Sequence, residues 1–390
     1  MAKFFLRKKI GDRVVNGHPW VFANELGDSE GNYEPGDIVE VYSYNGSFVG
    51  KGYINPSSQI RIRLLSRNKG EQINDDFFYH RIKEAWAYRQ KIGYTENCRL
   101  VYGEADGLPA LIIDKFNDYF VVQTLALGIE RWKEAIVTAI QELFSPKGIY
   151  ERNDVTIRTM EGMQQQKGFL TKPFDTNIII NENGLKFHVD LENGQKTGYF
   201  LDQHENRTAI KNIVKGADVL DAFCNTGAFS IHAAHYGAKT VVGLDISEEA
   251  VTMSEANAKL NGCNDKCRFE NLNAFDALKA WSKEGRNYDV IILDPPAFTK
   301  NRSDIHKAIN GYNEINLRAM KMIRPGGFLV TSSCTNYVTP DMFIKMIESA
   351  AKDAKRILRQ VTWQTQSPDH PILWHIPTTQ YLKFLIVQVL

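Results

Sequence analysis

The sequence predicts an α/β fold with a mainly parallel sheet in its second half, preceded by a small β-barrel and a central α+β region. From about residue 205, short apolar runs alternate with helical stretches, which is the pattern of βαβ units. Residues 1–70 contain short strand-like runs separated by turns, and a mixture of helical and strand-like runs follows them. At 390 residues, the chain is long enough for two or three domains.

The first 70 residues predict the β-barrel through their turn signals and alternation. Asn-Gly pairs at 16–17 and 45–46 mark turns, and the Pro-Gly pair at 35–36 precedes an alternating run. The segment Gln59–Leu65 alternates apolar and basic residues, which predicts one buried face and one cationic face. We therefore expect Arg61 and Arg63 to project from an exposed basic strand.

Residues 74–190 predict a small α+β domain. Apolar residues at helical spacing predict helices over 74–92 and roughly 129–143. The apolar runs between and after these helices predict strands at 111–113, 119–125, 148–150, 176–180 and 185–189.

The α/β part is predicted from its alternating elements. Strands are expected at Val219–Leu220, Thr240–Leu244, Tyr288–Leu293 and Phe328–Val330, with a closing strand at Tyr381–Leu390. Helices are expected near 227–236, 247–261, 273–283, 304–323 and 340–352.

Charge and cysteine content narrow the class of protein. The net charge is +1. Residues 1–70 carry ten Lys or Arg and seven Asp or Glu, and this small positive excess fits an ordinary solvated surface about as well as an RNA-binding surface.

The five cysteines are scattered along the chain and do not predict a disulfide framework. Cys263 and Cys267 have no second pair of Cys or His ligands near them, so we predict no zinc or other metal site. Since no apolar stretch is long enough for a signal or a membrane span, we expect a cytoplasmic protein without membrane contact.

Polar residues at the strand ends predict a cofactor cleft. Asp221 ends the first strand of the α/β part, and Thr226-Gly227 allows a tight turn into a helix and a close approach by a ligand. This loop lacks the glycines of dinucleotide-binding loops and the lysine of phosphate-binding loops, which favours a cofactor without phosphate. Asp245 ends the second strand and can accept hydrogen bonds from ribose hydroxyls. Asn273, after the third strand, can meet the adenine edge or cap a helix.

The run from Asp294 to Phe298 and the thiol of Cys334 predict the reaction site. Pro295 and Pro296 stiffen the loop after an apolar strand, and Phe298 offers a ring for stacking. Asp294 offers a carboxylate to a flat substrate, and Cys334 follows the predicted strand Phe328–Val330 and offers a thiol at the same edge of the sheet. Both are candidate catalytic residues.

Six motifs lie in a characteristic order along nearly the whole chain. They are His18–Trp20, Lys51–Pro56, Asn193–Arg207, Asp221–Gly227, Asp245 and Asp294–Phe298. Together they resemble the RlmI-type 23S rRNA cytosine-5 methyltransferases. The resemblance implies a PUA domain over 1–70, a central α+β domain over 74–190, and a Rossmann-like class I methyltransferase domain over 191–390 that uses S-adenosylmethionine.

The resemblance also implies which residues contact the cofactor and the base. The methionine end of the cofactor would be lined by Lys196, Thr197, Gly198, Gln203 and Arg207, and a guanidinium at 207 suits a carboxylate. The remaining cofactor contacts would be Asp221, Phe223, Asn225, Thr226, Gly227, Asp245, Ile246, Asn273, Ala274 and Asp294. The substrate contacts would be Pro295, Pro296, Phe298, Arg61 and Arg63.

Methylation at C5 of a cytosine, which the resemblance implies, needs a nucleophile. A thiolate that adds to C6 of a pyrimidine makes C5 able to attack an electrophilic methyl group. Cys334 would then be the nucleophile, and Asp294 would hydrogen-bond N3. The sequence does not identify the base that removes the C5 proton.

Two residues depart from the pattern of that family. His204 stands where an arginine is usual, which removes one fixed positive charge. Asn273 stands where an aspartate is usual, although its amide oxygen can still accept a hydrogen bond from the adenine amino group.

Three other functions stay open on the sequence alone. An Asp-Pro-Pro run before an aromatic residue also resembles methyltransferases that act on exocyclic amines of guanine or adenine, which need no thiol. A non-enzymatic RNA-binding or ribosome-assembly factor could keep the fold, and a small-molecule methyltransferase is a weaker option. The expected partner is RNA, with 23S rRNA implied by the resemblance, and homodimer formation stays open.

Overall fold

The computed structural model describes residues 1–8, 11–299 and 301–390. It divides into two compact units. The first unit comprises Met1–Ile178, Val189–Leu201 and Pro368–Thr379. The second unit comprises Ile179–His188, Asp202–Ser367 and Gln380–Leu390. The segment Asn193–Arg207 is thus shared between the two units, and the predicted domain boundaries stay predictions.

Short strands dominate the first 70 residues, and longer helices occur among the strands that follow. The strands are β1 (Lys3–Leu6), β2 (Trp20–Phe22), β3 (Leu26–Glu30), β4 (Ile38–Tyr42), β5 (Phe48–Ile54), β6 (Ile60–Ser66), β7 (Asn97–Tyr102), β8 (Leu111–Phe116), β9 (Tyr119–Thr124), β10 (Gly148–Asn153), β11 (Gln166–Phe169), β12 (Asn177–Glu182), β13 (Leu185–Asp190), β14 (Asp218–Asp221), β15 (Thr240–Asp245), β16 (Cys267–Asn271), β17 (Tyr288–Leu293), β18 (Ile323–Ser333), β19 (Leu358–Gln364) and β20 (Lys383–Val389). The helices are α1 (Asp12–Val15), α2 (Asp75–Lys91), α3 (Leu127–Glu130), α4 (Lys133–Phe144), α5 (Ile157–Met160), α6 (His204–Ala209), α7 (Ala228–His235), α8 (Glu248–Leu260), α9 (Ala274–Glu284), α10 (Ile305–Met322) and α11 (Pro340–Ala354).

The first unit contains two sheets. One has the strand order β2-β6-β5-β4-β1-β3 and the other β11-β10-β9-β8-β7. The core of the second sheet includes Phe78 and Ile82 of α2 and Ile136 and Ile140 of α4, all on the apolar faces that their helical spacing predicts. The Asn-Gly pair at 16–17, predicted as a turn, follows the short helix α1.

The exposed cationic face predicted for β6 is wrong at Arg63. That side chain is only 5% exposed, and its guanidinium donates to both carboxylate oxygens of Glu161, with Nη2 to Oε1 at 2.7 Å and Nη1 to Oε2 at 3.2 Å. Asn55 and Ser58 also donate to this carboxylate. Arg63 therefore neutralises a buried carboxylate and cannot also contact RNA, whereas Arg61 is half-buried.

The second unit contains the predicted α/β sheet. Its strand order is β16-β15-β14-β17-β18-β20-β19. The strands from β16 to β18 run parallel, and β20 pairs antiparallel with both β18 and β19. The strand order reverses between β14 and β17, which creates the crevice where open α/β sheets bind ligands.

Helices cover both faces of this sheet. One core contains buried side chains of α9, α10 and α11, with Tyr312 and Phe343 among the largest. The other core contains Phe229, Ala233 and Ala234 of α7. The central strands β14 and β17 are largely buried and read as apolar runs, so the alternation in the sequence predicts this Rossmann-like layering correctly.

Candidate active site

The candidate site lies at the carboxyl end of the sheet, where the strand order reverses. β14 and β17 are neighbours, and Asp221 at the end of β14 pairs in register with Ile292 of β17. Asp294 directly follows β17. The two aspartates predicted as site residues are therefore neighbours at the point where such sheets bind their ligands.

Asp221 is a fully buried carboxyl group. The Ser230 hydroxyl donates to its Oδ2 at 2.7 Å, while Oδ1 has no hydrogen-bond partner among the described residues. Burial raises the pKa of Asp221 to about 7, and the negative charges of Asp294 and Asp245 add to the shift. The protonated form is thus well populated near neutral pH, because an unpaired carboxylate oxygen in a buried position costs free energy.

Asp245 is held rigidly by the loop that follows β14. The backbone N–H of Asn225 donates to its Oδ2 and that of Ser247 to its Oδ1, both at 2.9 Å. Asn225 adopts a left-handed conformation with φ 49°, which turns its N–H towards this carboxylate. The carboxylate is fixed at the end of β15, where the sequence predicts a ribose contact.

Gly227 makes the predicted tight turn into α7, and it also lies close to α8. Its φ is +81°, and a Cβ at this position would lie 3.1 Å from both Cβ and Oγ of Ser254. Phe269 would be 3.3 Å away. The glycine thus allows the close approach of α8 to the loop, and the close approach of a ligand to this residue stays a prediction.

The ends of β15 and β16 present apolar surface beside Asp245. Asp245 pairs with Asn271, and Ile246, the next residue, is 72% exposed. Leu272 and Phe275 are also exposed. An anchored carboxylate beside exposed aliphatic and aromatic groups suits a nucleoside, with the base on the apolar surface and the ribose at the acid.

Asn273 caps α9, and Ala274 begins this helix. The Asn273 side-chain oxygen accepts from the Phe275 backbone N–H at 2.9 Å. Asn273 therefore acts as a helix cap, which is one of the two roles predicted for it. A hydrogen bond from the adenine amino group would have to share the same side-chain oxygen.

The predicted residues at the methionine end of the cofactor fall in both units. Thr197 is buried in the first unit, and its hydroxyl donates to Asp114 at 2.5 Å. Lys196 has φ 55°, and its ammonium lies 4.4 Å from the centre of the Phe200 ring. Gly198 has φ +124°, and a Cβ there would lie 2.8 Å from Val189. Their cofactor contacts stay predictions.

Arg207 forms a buried ion pair with Glu182 in the second unit. Its Nη1 donates to Glu182 Oε1 at 2.7 Å and Oε2 at 2.8 Å, and the arginine is 3% exposed. Burial alone would raise the pKa of Glu182, but Arg207 and the neighbouring histidines hold it at about 2. The sequence offers no signal for this pair, and the cofactor role of Arg207 stays a prediction.

His204 partly restores the charge that the missing arginine would carry. Its Nδ1 lies 3.4 Å from Glu182 Oε2. Burial lowers the pKa of His204, but the interaction with Glu182 outweighs burial and raises it above the ordinary value. The contact with Glu182 therefore makes His204 easier to protonate than an ordinary histidine.

Asp294 is oriented by a chain of hydrogen bonds, and the sequence predicts only one of its members as a site residue. Gln203 Nε2 donates to Asp294 Oδ1 at 2.8 Å, and Asn206 Nδ2 donates to Gln203 Oε1 at 2.6 Å. The second bond fixes the orientation of the Gln203 amide. Ser332 of β18 also donates to Asp294 Oδ1. Gln203 thus contacts a predicted catalytic residue, and Ser332 and Asn206 are additions that the sequence does not identify.

The loop after Asp294 is anchored by its aromatic residue. The Phe298 ring lies 4.3 Å from that of Tyr312 and 5.5 Å from that of Phe275, measured between ring centres. Pro295 is buried and Pro296 is exposed. Phe298 therefore holds the loop against α10, and its stacking on a base stays a prediction.

Cys224 and Cys334, which both lie near the predicted cleft, have different environments. Cys334 directly follows β18, next to Ser333, and is half-buried. Cys224 is buried in the loop after β14, and burial raises its pKa well above the ordinary value. Of the two, Cys334 combines partial exposure with a position beside Asp294, because β17 and β18 are paired neighbours.

His232 in α7 makes the stability of the second unit depend on pH. Burial lowers its pKa from 6.5 to about 4, so the unfolded chain binds a proton that the folded chain rejects. Stability from this residue is complete above pH 6.5 and is lost as the pH falls towards 4. Taken by itself, this residue should contribute a loss of about 2 kcal/mol between pH 7.5 and pH 5. Because the raised pKa of Asp221 acts in the opposite direction over this interval, the contribution is measured as the difference between the wild type and His232→Gln in urea unfolding at both pH values.

The His232→Gln variant should lose less stability over the same interval, because glutamine does not titrate. The matched control is His306→Gln, which changes an exposed histidine of α10. Equal pH dependence in the wild type and in His232→Gln would contradict the assignment.

Comparisons with known proteins agree with this geometry. Residues 165–384 match the model of the S-adenosylmethionine-dependent methyltransferases, and residues 4–67 match a PUA-like domain. None of the described helices is long and apolar enough to cross a membrane.

Relatives from two bacteria cover nearly the whole chain. A Tolumonas auensis protein named ribosomal RNA large subunit methyltransferase I is 36% identical over 99% of both chains. A Shewanella denitrificans protein of the same name is 39% identical over 95% of both chains.

Solved structures show the same fold. A Streptococcus mutans structure, described as a SAM-dependent methyltransferase, covers 100% of both chains at 23% identity with a TM-score of 0.83. A second solved structure, described as a methyltransferase complexed with SAH, has a TM-score of 0.85 at 22% identity and confirms the fold. The chain belongs to the S-adenosylmethionine-dependent methyltransferase family that includes the proteins named ribosomal RNA large subunit methyltransferase I.

Proposed function

We propose that this protein methylates C5 of a cytosine in the 23S rRNA of the large ribosomal subunit, using S-adenosylmethionine. The name of its full-length relatives supports ribosomal RNA as the substrate. The observation that carries the choice of C5 is the half-buried Cys334, which directly follows β18, the strand paired with the one that precedes Asp294. Methylation of an exocyclic amine needs no such thiol.

The chemistry follows from these two side chains. The Cys334 thiolate adds to C6 of the cytosine, and the carboxyl group of Asp294 supplies a proton at N3, which leaves C5 rich in electrons. When bound, S-adenosylmethionine supplies an electrophilic methyl group on a positively charged sulfur. After C5 has taken the methyl group, a base that the structure does not identify removes the C5 proton, Cys334 leaves C6 as a thiolate, and the N3 proton returns to Asp294, which restores the aromatic ring.

The residues of the cleft suit this cofactor. Asp245 offers an anchored carboxylate for ribose hydroxyls, and Ile246 offers apolar surface for adenine. The loop Asp221–Gly227 has neither the glycines nor the lysine of a phosphate cradle. A nucleoside without phosphate is therefore the better match to this set of groups.

We also propose a separate role for each of three parts of the chain. Residues 1–70 would bind RNA as a PUA domain, residues 74–190 would form a central domain, and residues 191–390 would carry out methyl transfer. Within the first of these, Arg61 is retained as a candidate RNA contact and Arg63 is not, since Arg63 is buried against Glu161.

The test is methylation of rRNA from cells that lack this protein. The purified protein and S-adenosylmethionine with a labelled methyl group should add one methyl per large-subunit rRNA. Mass spectrometry of the digested RNA should identify the product as 5-methylcytidine. Asp245→Ala should abolish labelling and lower cofactor affinity in calorimetry by about 10-fold or more, since the ribose loses its acceptor.

Two results would contradict the proposal in different ways. Label recovered as N2-methylguanosine or N6-methyladenosine would identify an exocyclic-amine methyltransferase. An absence of label together with failure to bind S-adenosylmethionine would favour a non-enzymatic RNA-binding or assembly factor.

A further inference from the structure

Lys383 is a buried lysine beside the proposed nucleophile. It is 2% exposed and begins β20, where it pairs in register with Ser333, the residue that precedes Cys334. Its Nζ donates to the backbone oxygen of Thr335, the residue that follows Cys334, at 2.8 Å. A second bond of 2.8 Å reaches the backbone oxygen of Tyr381. The pairing with Ser333 and the hydrogen bond to Thr335 thus place Lys383 next to the residues on both sides of Cys334, and the bond to Tyr381 fixes the amine further.

The electrostatics of this position couple the lysine to the thiol. Burial lowers the pKa of Lys383 to about 8, and the charge of Cys334 acts in the opposite direction. A buried ammonium is costly unless a negative charge lies near it. A thiolate at Cys334 supplies that charge, so the charged forms of the two groups stabilise each other.

Two other titratable groups of the described residues near Cys334, Tyr312 and Asp294, are not cations. Tyr312 of α10 bonds to the Thr335 hydroxyl at 2.8 Å, and burial raises its pKa to about 12, so it stays neutral. Asp294 follows β17 and accepts a hydrogen bond from Ser332, and a carboxyl group supplies no positive charge in either protonation state. Among the described neighbours of Cys334 on β17, β18, β20 and α10, the stabilising cation is Lys383.

We propose that Lys383 is the positioning residue that accepts the proton of the Cys334 thiol and holds the resulting thiolate beside its ammonium group. The step is balanced, because the S–H bond breaks, the electron pair stays on sulfur and the proton becomes the third N–H of the amine. The two backbone carbonyl contacts use two N–H groups and leave the nitrogen lone pair to receive that proton. The inference rests on the proposed function, in which the thiolate of Cys334 attacks C6.

The test measures thiol reactivity and needs neither RNA nor cofactor. The full-length protein is treated with iodoacetamide from pH 5.5 to pH 10, and modification of each cysteine is followed by peptide mass spectrometry. In the wild type, the Cys334 rate should reach half of its maximum below the ordinary thiol pKa of about 8.5. Lys383→Met should raise that midpoint by at least about one pH unit, which is a roughly tenfold loss of thiolate near pH 7.

Two comparisons distinguish a specific shift of the Cys334 midpoint from a general change in the fold. Cys267, whose pKa burial raises to about 12, is an internal control that should react slowly and equally in both proteins. Lys383→Arg restores a cation and should bring the midpoint back towards the wild-type value. An unchanged midpoint in Lys383→Met would overturn the proposal. If that variant does not fold, a wild-type midpoint at or above about 8.5 would overturn it as well.

The proposed function can fail independently of this inference. Full methylation activity in Cys334→Ala would refute the thiolate mechanism, whereas the alkylation profile would still report whether Lys383 and Cys334 share a proton.

Discussion

The Cys334→Ala variant is expected to lose methyl transfer by about 10³-fold or more, because C5 of a cytosine is a poor nucleophile until a thiolate has added to C6. The loss should lie in kcat. Cofactor binding should be unchanged in calorimetry, since Cys334 follows β18 whereas the ribose and adenine groups are predicted at the ends of β15 and β16. The measurement is transfer of labelled methyl groups to rRNA under single-turnover conditions.

The matched control is Cys224→Ala, the same change at a buried cysteine of the same unit. The Cys224 sulfur lies 3.9 Å from the Ser254 hydroxyl, and its raised pKa disfavours the thiolate. This variant should keep methyl transfer within a few-fold of the wild type. If Cys334→Ala were equally active, the nucleophile would be elsewhere or the target would be an amine.

A trapping experiment extends this prediction. RNA that contains 5-fluorocytosine has no C5 proton to lose, so the adduct between Cys334 and C6 should persist after methyl transfer. We expect a covalent protein–RNA band with the wild type and Cys224→Ala, and none with Cys334→Ala.

The sequence locates the reacting groups because they follow strands. Asp221, Asp245, Asp294 and Cys334 each end or follow an apolar run, and parallel strands bring their carboxyl ends to one edge of the sheet. The α/β layering is predictable for a related reason, since each central parallel strand is buried on both faces and reads as an apolar run.

The partners of these groups are not predictable from local pattern. Gln203 and Asp294 are 91 residues apart, and Arg63 and Glu161 are 98 apart, so only the folded chain reveals either contact. Arg63 illustrates how a distant partner changes the outcome. The alternating basic strand predicts that Arg63 is exposed to solvent, but the side chain is buried because it neutralises the carboxylate of Glu161.

The edge strand β19 is absent from the predicted elements because its pattern is weak. It carries exposed Arg359, Gln360 and Val361 and lies at one end of the sheet, where a single neighbouring strand, β20, supplies its ladder. Without a buried face, an edge strand shows neither an apolar run nor clean alternation.

The Asp294→Asn variant is expected to lower kcat by about 10² to 10³-fold with little change in KM, because asparagine cannot supply an acidic proton at N3 of the cytosine. The substitution should preserve the local geometry. Gln203 and Ser332 both donate to Oδ1, and the asparagine oxygen can accept both bonds in the same position. The loss would then report the missing carboxyl group and not a displaced loop.

The control is Asp289→Asn, the same change on the same strand at a distance from the carboxyl end. Asp289 forms an ion pair of 2.7 Å with Arg324 and accepts from the Asp218 backbone N–H at 2.9 Å. This variant should keep kcat while losing some stability. Gln203→Ala adds a second comparison, since it removes one donor to Asp294 but leaves the carboxyl group in place, and should cost about 10-fold.

A fully active Asp294→Asn variant would mean that N3 receives its proton from another group. Asp221 is then the residue to change, because its raised pKa keeps a proton available near neutral pH and its strand is the neighbour of β17. Since the two carboxyl groups raise each other's affinity for protons, the pair can hold one proton between them over a wide pH range. Activity that survives either single change to asparagine but not the double change would assign the proton to the pair, whereas activity that survives the double change would remove both aspartates from the chemistry.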